Sequence, residues 1–154
     1  MSEEHTWDAV LRPKLTPWIA VGAAIAMVAI HVVLGLLLTI KSSGVIFRPH
    51  DQVAFASFGL LLGAAILLFT RPRLRIGPAG MSVRNLFGDK LVPWAQVQGL
   101  SFQHGGRWAR LQLPDDEYVP VMAIQSADKD RAIQAMDTAR ELIDKYTAGG
   151  ADLG

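Results

Sequence analysis

Apolar residues fill two long blocks in the first half of the chain, at residues 18–40 and 53–70, and neither block contains Asp, Glu, Lys or Arg. Because a helix rises about 1.5 Å per residue, the blocks would extend about 34 and 27 Å, against a hydrocarbon core of roughly 30 Å. The pattern therefore predicts a transmembrane hairpin over residues 18–70, preceded by an N-terminal segment of residues 1–17. A cleaved signal peptide is the weaker interpretation, because its apolar region is only about 7–15 residues long.

From residue 73 the pattern changes to short segments in which apolar and polar residues alternate. A period of two is typical of antiparallel strands. Turn residues separate these segments and predict turns at Gly77–Gly80, Gly88-Asp89, Gly105-Gly106 and Pro114–Asp116. About six or seven short strands fit between them, which favours a small barrel or a sandwich of two sheets.

The last segment has a helical period. Apolar residues recur there every three or four positions, at Ile133, Met136, Ala139, Ile143 and Tyr146. We expect Ser126 to cap this amphipathic helix, Gly149-Gly150 to end it, and its apolar stripe to face the strands. The predicted fold is a membrane α-helical hairpin plus an α+β domain of residues 73–148, followed by a flexible tail of residues 149–154.

Positive charges near the spans predict the orientation of the hairpin. The flanking set is Arg12, Lys14, Arg71, Arg73 and Arg75, whereas the loop of residues 41–52 has only Lys41 and Arg48. Cytoplasmic flanks carry the excess of Lys and Arg, so both termini and the C-terminal domain should be cytoplasmic in a multi-pass protein of the plasma membrane. The three arginines after the second span, at residues 71, 73 and 75, are predicted contacts for anionic lipid headgroups.

Three stretches of the domain carry a family resemblance: Pro93–Phe102, Arg107–Asp116 and Tyr118–Met122, which read PWAQVQGLSF, RWARLQLPDD and YVPVM. In these motifs the chain resembles the bacterial PH-domain proteins of the actinobacterial low molecular weight protein antigen 6 family. The resemblance extends from about Pro13 to Tyr146 and implies a two-helix membrane hairpin followed by a PH-like domain. It implies no particular chemistry, and a shared fold does not supply a function.

The resemblance also suggests where a headgroup would bind. In PH domains that bind inositol phosphates, the loop between the first two strands carries several Lys and Arg. Here that loop is predicted to be Gly77–Gly80, which has no positive charge. Specific phosphoinositide recognition is therefore not expected.

Within the spans, a few residues are candidates for helix packing or partner contact. Gly59 and Gly63 form a GxxxG pair, and Gly22 and Ala26 are small residues of the first span. Such residues let helices approach closely, either within the hairpin or against a partner helix. His31 is an ionisable side chain near the middle of the first span, where it would serve packing, contact with another subunit, or proton or metal chemistry.

Composition and charge argue against several function classes. The chain has no cysteine and a net charge of +1, with no basic run of the kind that nucleic-acid binding shows. His104 and the acidic triplet Asp115–Glu117 are expected to be solvated surface residues. We find no pattern typical of a catalytic, cofactor or metal site, so the chain is predicted not to be an enzyme and to need no cofactor.

The expected function is that of a non-enzymatic interaction module, a scaffold or accessory subunit of a membrane protein complex. Its partners would be membrane lipids and another membrane or cytoplasmic protein, and not nucleic acid. The alternative is a lipid-binding or small-ligand-binding domain at the membrane surface. Trp94, Trp108 and Tyr118 could fill the core or form a contact with a partner, and the sequence leaves both open.

Overall fold

The computed structural model describes residues 6–37 and 48–151. They form two compact units. One comprises residues 16–70, and the other comprises the segments on either side, up to Leu15 and from Arg71 onward. We describe each unit by itself.

The hairpin unit consists of two helices, α1 at Leu15–Leu37 and α2 at Pro49–Leu67, and α2 is followed by a 3₁₀ turn at Leu68–Thr70. Both helices are long and apolar enough to cross a membrane. Residues 38–47, which include the end of the first predicted span and much of its loop, lie outside the described residues.

The second helix begins earlier than the apolar pattern predicted, at Pro49 rather than Val53. Its first turn is polar but favourable for a helix. The backbone N–H of Arg48 donates to the Asp51 carboxylate at 2.9 Å, and Pro49 occupies the first helical position, where its missing N–H costs nothing. Hydropathy alone therefore placed the start one turn too late.

The face of α1 that is buried includes Ala20, Ala24 and Gly35. The expected pair of small residues, Gly22 and Ala26, lies on the other side: Ala26 is exposed, and a Cβ on Gly22 would meet nothing within 4 Å. The small residues buried on α1 thus lie two positions away from the expected pair, and contact of Gly22 and Ala26 with a partner helix stays a prediction. A shift of two positions turns a helix by about 200°, which moves a residue to the opposite face.

The second unit is a sandwich of two antiparallel sheets with one long helix. The strands are β1 Ala9–Leu11, β2 Arg73–Gly77, β3 Gly80–Arg84, β4 Asp89–Val92, β5 Gly99–Phe102, β6 Trp108–Gln112 and β7 Tyr118–Gln125, and the helix is α3, Asp130–Ala151. One sheet has the order β1-β2-β3-β4 and the other β5-β6-β7. The predicted PH-like architecture with a C-terminal amphipathic helix is thereby confirmed.

Strand alternation explains how the core forms. Along β2 and β3 every second residue is apolar and buried, whereas the residues that alternate with them, Arg73, Arg75, Ser82 and Arg84, are only partly buried. The inward residues of both sheets and of α3 make one cluster, whose least exposed members are Leu74, Ile76, Met81, Val83, Val92, Ala109, Leu111, Val121, Ile124 and Ala139. At Gly80, φ is +130°, and a Cβ would overlap the carbonyl oxygen of Val92, so this turn requires glycine.

The segment before the hairpin contributes the first strand of the sandwich. Leu11 pairs with Leu74 and Ala9 with Ile76, so β1 lies beside β2 although the whole hairpin separates them in the chain. The connection between the first two strands is therefore residues 12–72, which include the helices of the hairpin. The prediction that Gly77–Gly80 is that loop was wrong, because this turn joins β2 to β3.

Both ends of the C-terminal helix differ from expectation. Ser126 lies in a 3₁₀ turn before the helix, where its hydroxyl donates to the Arg107 carbonyl, and does not cap the helix. Ile133 is 61% exposed, whereas Ala132 and Met136 are buried. The helix continues through Gly149 to Ala151, because glycine lowers helix propensity by only about 1 kcal/mol and does not forbid the conformation. The helix thus ends later than the predicted stop at Gly149-Gly150, and residues 152–154 lie outside the described part.

Candidate interaction surfaces

A groove of about 560 Å³ runs between β5 and α3. Phe102, Ile133 and Met136 contribute apolar surface to it, and Ser101 and Arg140 contribute polar groups. β5 is an edge strand of its sheet, so one side of its backbone is not paired with another strand of the described residues. An edge strand beside an apolar groove is suited to accept an extended segment, with backbone hydrogen bonds on the strand and side chains in the groove.

The sequence pattern put Ile133 on the buried face of α3, but its 61% exposure makes it part of the groove. The buried residues of the helix, Ala132, Met136, Ala139 and Ile143, follow one another at spacings of three or four. Ile133 is also three residues from Met136, so its spacing is equally consistent with a place on the buried stripe. Only the structure, in which β5 lies beside the helix, distinguishes the exposed Ile133 from the buried Met136.

A second, polar cleft of about 430 Å³ lies near the turn between β6 and β7. The Arg110 guanidinium lies 4.2 Å from the centre of the Tyr118 ring, and Gln112 donates to the Ser101 hydroxyl at 3.1 Å. Tyr118 is half exposed. Of the three aromatic residues left open by the sequence, Tyr118 is thus on the surface, and Trp94 and Trp108 are partly buried.

The acidic turn after Pro114 has backbone conformations that are rare for residues with a side chain. Asp115 and Asp116 have φ of 61° and 58°, a region that Asp tolerates better than most residues. Both are exposed, as is His104. Within residues 6–37 and 48–151, no three His, Cys, Asp or Glu side chains are grouped so that they could hold a metal ion.

An ionic cluster joins the segment before β1 to the end of α3. The Asp8 carboxylate accepts hydrogen bonds from the Tyr146 hydroxyl and from Lys145. These bonds, that of Tyr146 first, lower the pKa of Asp8, and the bond to Asp8 raises the pKa of both Tyr146 and Lys145. The Trp94 ring stacks on Tyr146 with centroids 4.8 Å apart. Sequence reasoning missed this cluster, because its two halves are separated by almost the whole chain.

The three predicted hairpin residues come together between α1 and α2. A Cβ on Gly59 would overlap the Cβ of His31, and a Cβ on Gly63 would lie 3.0 Å from a methyl carbon of Val28. His31 Nδ1 lies 2.9 Å from the Met27 carbonyl oxygen, and its ring contacts Phe55 with centroids 5.6 Å apart. These contacts favour packing within the hairpin. Contact of the same residues with a partner stays a prediction.

The predicted headgroup arginines have different environments. Arg71 is exposed before the strand, whereas Arg73 and Arg75 lie half-buried on the outer face of β2. Arg73 is paired in register with Arg84 of β3. Partial burial, and then the positive charges of Arg75, Arg84 and Arg12, lower the pKa of Arg73. Arg84 was not among the predicted contacts, because strand register brings it to this face.

Comparison with known proteins identifies the family. The profile described as bacterial PH domain matches residues 71–142. An uncharacterized protein of Mycobacterium tuberculosis, and likewise one of Mycobacterium bovis, is 59% identical over 142 residues, which are 92% of this chain and 92% of the relative. Low molecular weight protein antigen 6 of M. tuberculosis is 31% identical over 93 residues, which are 51% of this chain and 82% of that protein. No solved structure gives a significant match. The chain thus belongs to the bacterial PH-domain family that includes low molecular weight protein antigen 6.

Proposed function

We propose that this protein is a membrane-anchored PH-like interaction module, a non-enzymatic scaffold or accessory subunit of a membrane protein complex. In this proposal the hairpin crosses the plasma membrane twice, and both termini and the PH-like domain are cytoplasmic. The observation that carries the binding function is the groove between β5 and α3, with its exposed Ile133 beside an edge strand.

The composition and exposure of the hairpin helices support the membrane part of the proposal. Large apolar side chains are exposed around both helices, among them Trp18, Ile25, Ile30, Phe58, Leu60 and Leu61. Such a surface is unfavourable in water and favourable in hydrocarbon. The two connections, Arg12–Lys14 and Arg71-Pro72, begin or end at neighbouring strands of one sheet. The domain is therefore joined to the hairpin by two short connections.

The character of the groove supports a protein partner. Lys129 and Arg140 contribute positive charges to its lining, Asp130 and Asp137 contribute negative charges, and Phe102, Ile133 and Met136 contribute apolar surface. An apolar centre with a polar rim is the usual composition of a protein interface. The partner that fits is an extended protein segment with an apolar side chain to place against Ile133.

Site-specific photo-crosslinking in intact cells of a mycobacterial host tests this function. A photoreactive amino acid at Ile133 should give one major crosslinked protein. The same amino acid at Leu91, which is 49% exposed on the edge strand β4 of the other sheet, is the matched control and should not. Equal products at both positions, or none at Ile133 in a membrane-inserted protein, would contradict the proposal.

A second candidate function is lipid binding at the membrane surface through Arg71, Arg73 and Arg75. The observation in its favour is the excess of positive charge on the outer face of β2 and β3, where Asp89 neutralises only Arg84. The test is native mass spectrometry of the detergent-solubilised protein with phosphatidylglycerol and phosphatidylcholine. Retention of the anionic lipid that is lost in a triple Arg→Gln variant supports this function, and equal retention of both lipids contradicts it.

A further inference from the structure

Phe87, in the PH-like unit, is the most exposed large apolar side chain of the described residues, at 88%. It belongs to the turn between β3 and β4. An aromatic ring so exposed gains almost nothing from packing within its own fold.

Hydrogen bonds hold this turn in a defined position. The Asn85 N–H donates to the Gly88 carbonyl at 3.0 Å. The Asn85 side chain donates to the Pro120 carbonyl at 2.8 Å and accepts from the Met122 N–H at 3.2 Å, which anchors the turn to β7. Phe87 is therefore presented by a fixed turn and does not extend from a loose loop.

The register of the sheet places the turn at a particular end. Arg84, the last residue of β3, is opposite Arg73, the first residue of β2. Only Arg71-Pro72 separates β2 from the 3₁₀ turn that ends the hairpin at Thr70. At the same end, β1 finishes at Leu11, and three residues separate it from α1. Both connections to the hairpin thus leave the end of the sheet that carries Phe87.

Positive charges flank this turn in the chain and recur at the same end of the sheet. Arg84 and Lys90 lie on either side of the turn, Arg73 is next to Arg84 across the sheet, and Arg12 follows β1. The one carboxylate of this set, Asp89, is 3.7 Å from the Arg84 guanidinium. An aromatic residue among cations is typical of protein segments that lie at the interface of an anionic bilayer.

We propose that the β3–β4 turn is a third membrane contact, in which Phe87 enters the interfacial region of the bilayer while Arg84 and Arg73 face lipid phosphates. This inference rests on the proposed anchoring of the hairpin. It adds a specific surface of the domain that would fix its orientation at the bilayer, and it leaves the groove at β5 and α3 free for a protein.

Single cysteines test the contact, because the chain has no native cysteine. The full-length protein in nanodiscs of phosphatidylcholine and phosphatidylglycerol carries an environment-sensitive dye at Phe87→Cys, Ala79→Cys or Ile25→Cys. Ala79 lies in the β2–β3 turn at the opposite end of the same sheet, about 15 Å away along β2. Ile25 lies in α1 and reports insertion of the hairpin itself. Lipids with a quencher on the acyl chain then measure contact with hydrocarbon.

We expect at least threefold stronger quenching at Phe87→Cys than at Ala79→Cys, together with strong quenching at Ile25→Cys. Arg84→Gln should reduce the quenching at position 87 by about half, whereas Arg140→Gln, an equal loss of charge on α3, should not. Quenching at position 87 no stronger than at position 79, with Ile25→Cys quenched, would overturn this inference and leave the anchor intact. An unquenched Ile25→Cys would overturn the anchor and the inference together, and an Arg84→Gln variant without effect would overturn the phosphate contact.

Discussion

The PH-like unit and the hairpin unit differ in how each is packed internally. In the PH-like unit, large side chains such as Leu74, Ile76 and Leu111 are completely buried. In the hairpin, the residues buried between the helices are small: Ala20, Ala24, Gly35, Gly59 and Gly63. The first unit is stabilised by removing apolar surface from water. In a membrane the second unit cannot be stabilised in this way, because lipid is as apolar as the side chains. Close packing of the helix backbones at small residues stabilises it instead.

This difference predicts which kind of substitution each unit tolerates. Removing atoms should damage the sandwich, where a cavity would remain, and adding atoms should damage the hairpin, where no space exists beside Gly59. The four predictions below follow this contrast, from the largest expected effect on stability to the smallest.

Leu74→Ala should lower the free energy of unfolding of the PH-like unit by about 2–5 kcal/mol, because the side chain is fully buried and its loss leaves a cavity. Denaturant titration of the full-length protein in mild detergent, followed by tryptophan fluorescence, measures the change. Leu91→Ala, at a half-exposed position of the same sheet, is the control and should cost less than about 1 kcal/mol. Equal effects at the two positions would contradict the assigned core.

Gly59→Val should weaken the α1–α2 contact by about 1–3 kcal/mol, because any Cβ at this position overlaps His31. Fluorescence energy transfer between dyes on the two helices, followed during titration with sodium dodecyl sulfate, measures the separation. Gly22→Val is the matched control, since a Cβ there meets nothing within 4 Å. If both variants separate at the wild-type detergent fraction, the two helices do not pack through Gly59.

The first two predictions rest on features that the sequence revealed to different degrees. Uncharged blocks and alternation predicted the hairpin and the strands from β2 to β7, because both signals are local. The strand β1 was not predicted, since Ala9–Leu11 is too short for a pattern and its partner lies beyond the hairpin. The contacts of Gly59 with His31 and of Arg73 with Arg84 depend on helix rotation and strand register, which no local pattern specifies.

The ionic cluster at Asp8 should make a smaller, pH-dependent contribution. Because the folded pKa of Asp8 is lowered, its contribution is present above the unfolded value, near 3.9, and is lost as pH falls through the folded value. The raised pKa values of Lys145 and Tyr146 mean that their part is present below about 10 and is lost as pH rises beyond the folded values.

Asp8→Asn should therefore lower the Tm of the PH-like unit at pH 7 but have progressively less effect below about pH 4 and above about pH 10.5. Thermal unfolding of both proteins across this range, followed by near-ultraviolet circular dichroism, gives the difference in Tm. Asp137→Asn, which removes a carboxylate elsewhere on α3, should show no such profile. A difference in Tm that is constant with pH would contradict the cluster.

Ile133→Asp should have the smallest effect on stability, within about 0.5–1 kcal/mol, because the side chain is mostly exposed. It should nevertheless abolish partner binding through the groove, which separates folding from function at one position. Copurification from mycobacterial membranes of the protein that crosslinks at Ile133 measures binding, and the denaturant titration used for Leu74→Ala measures stability. A destabilisation of more than 2 kcal/mol would place Ile133 in the core, as the sequence pattern suggested.

The central proposal is that a membrane hairpin holds the PH-like unit on the cytoplasmic side, and cysteine labelling in intact cells tests it most directly. Ser43→Cys lies in the loop between the predicted spans, and Glu117→Cys lies at an exposed position of the β6–β7 turn. With an impermeant thiol reagent, we predict labelling of Ser43→Cys in intact cells and labelling of Glu117→Cys only after lysis. Labelling of Glu117→Cys in unbroken cells would contradict the account.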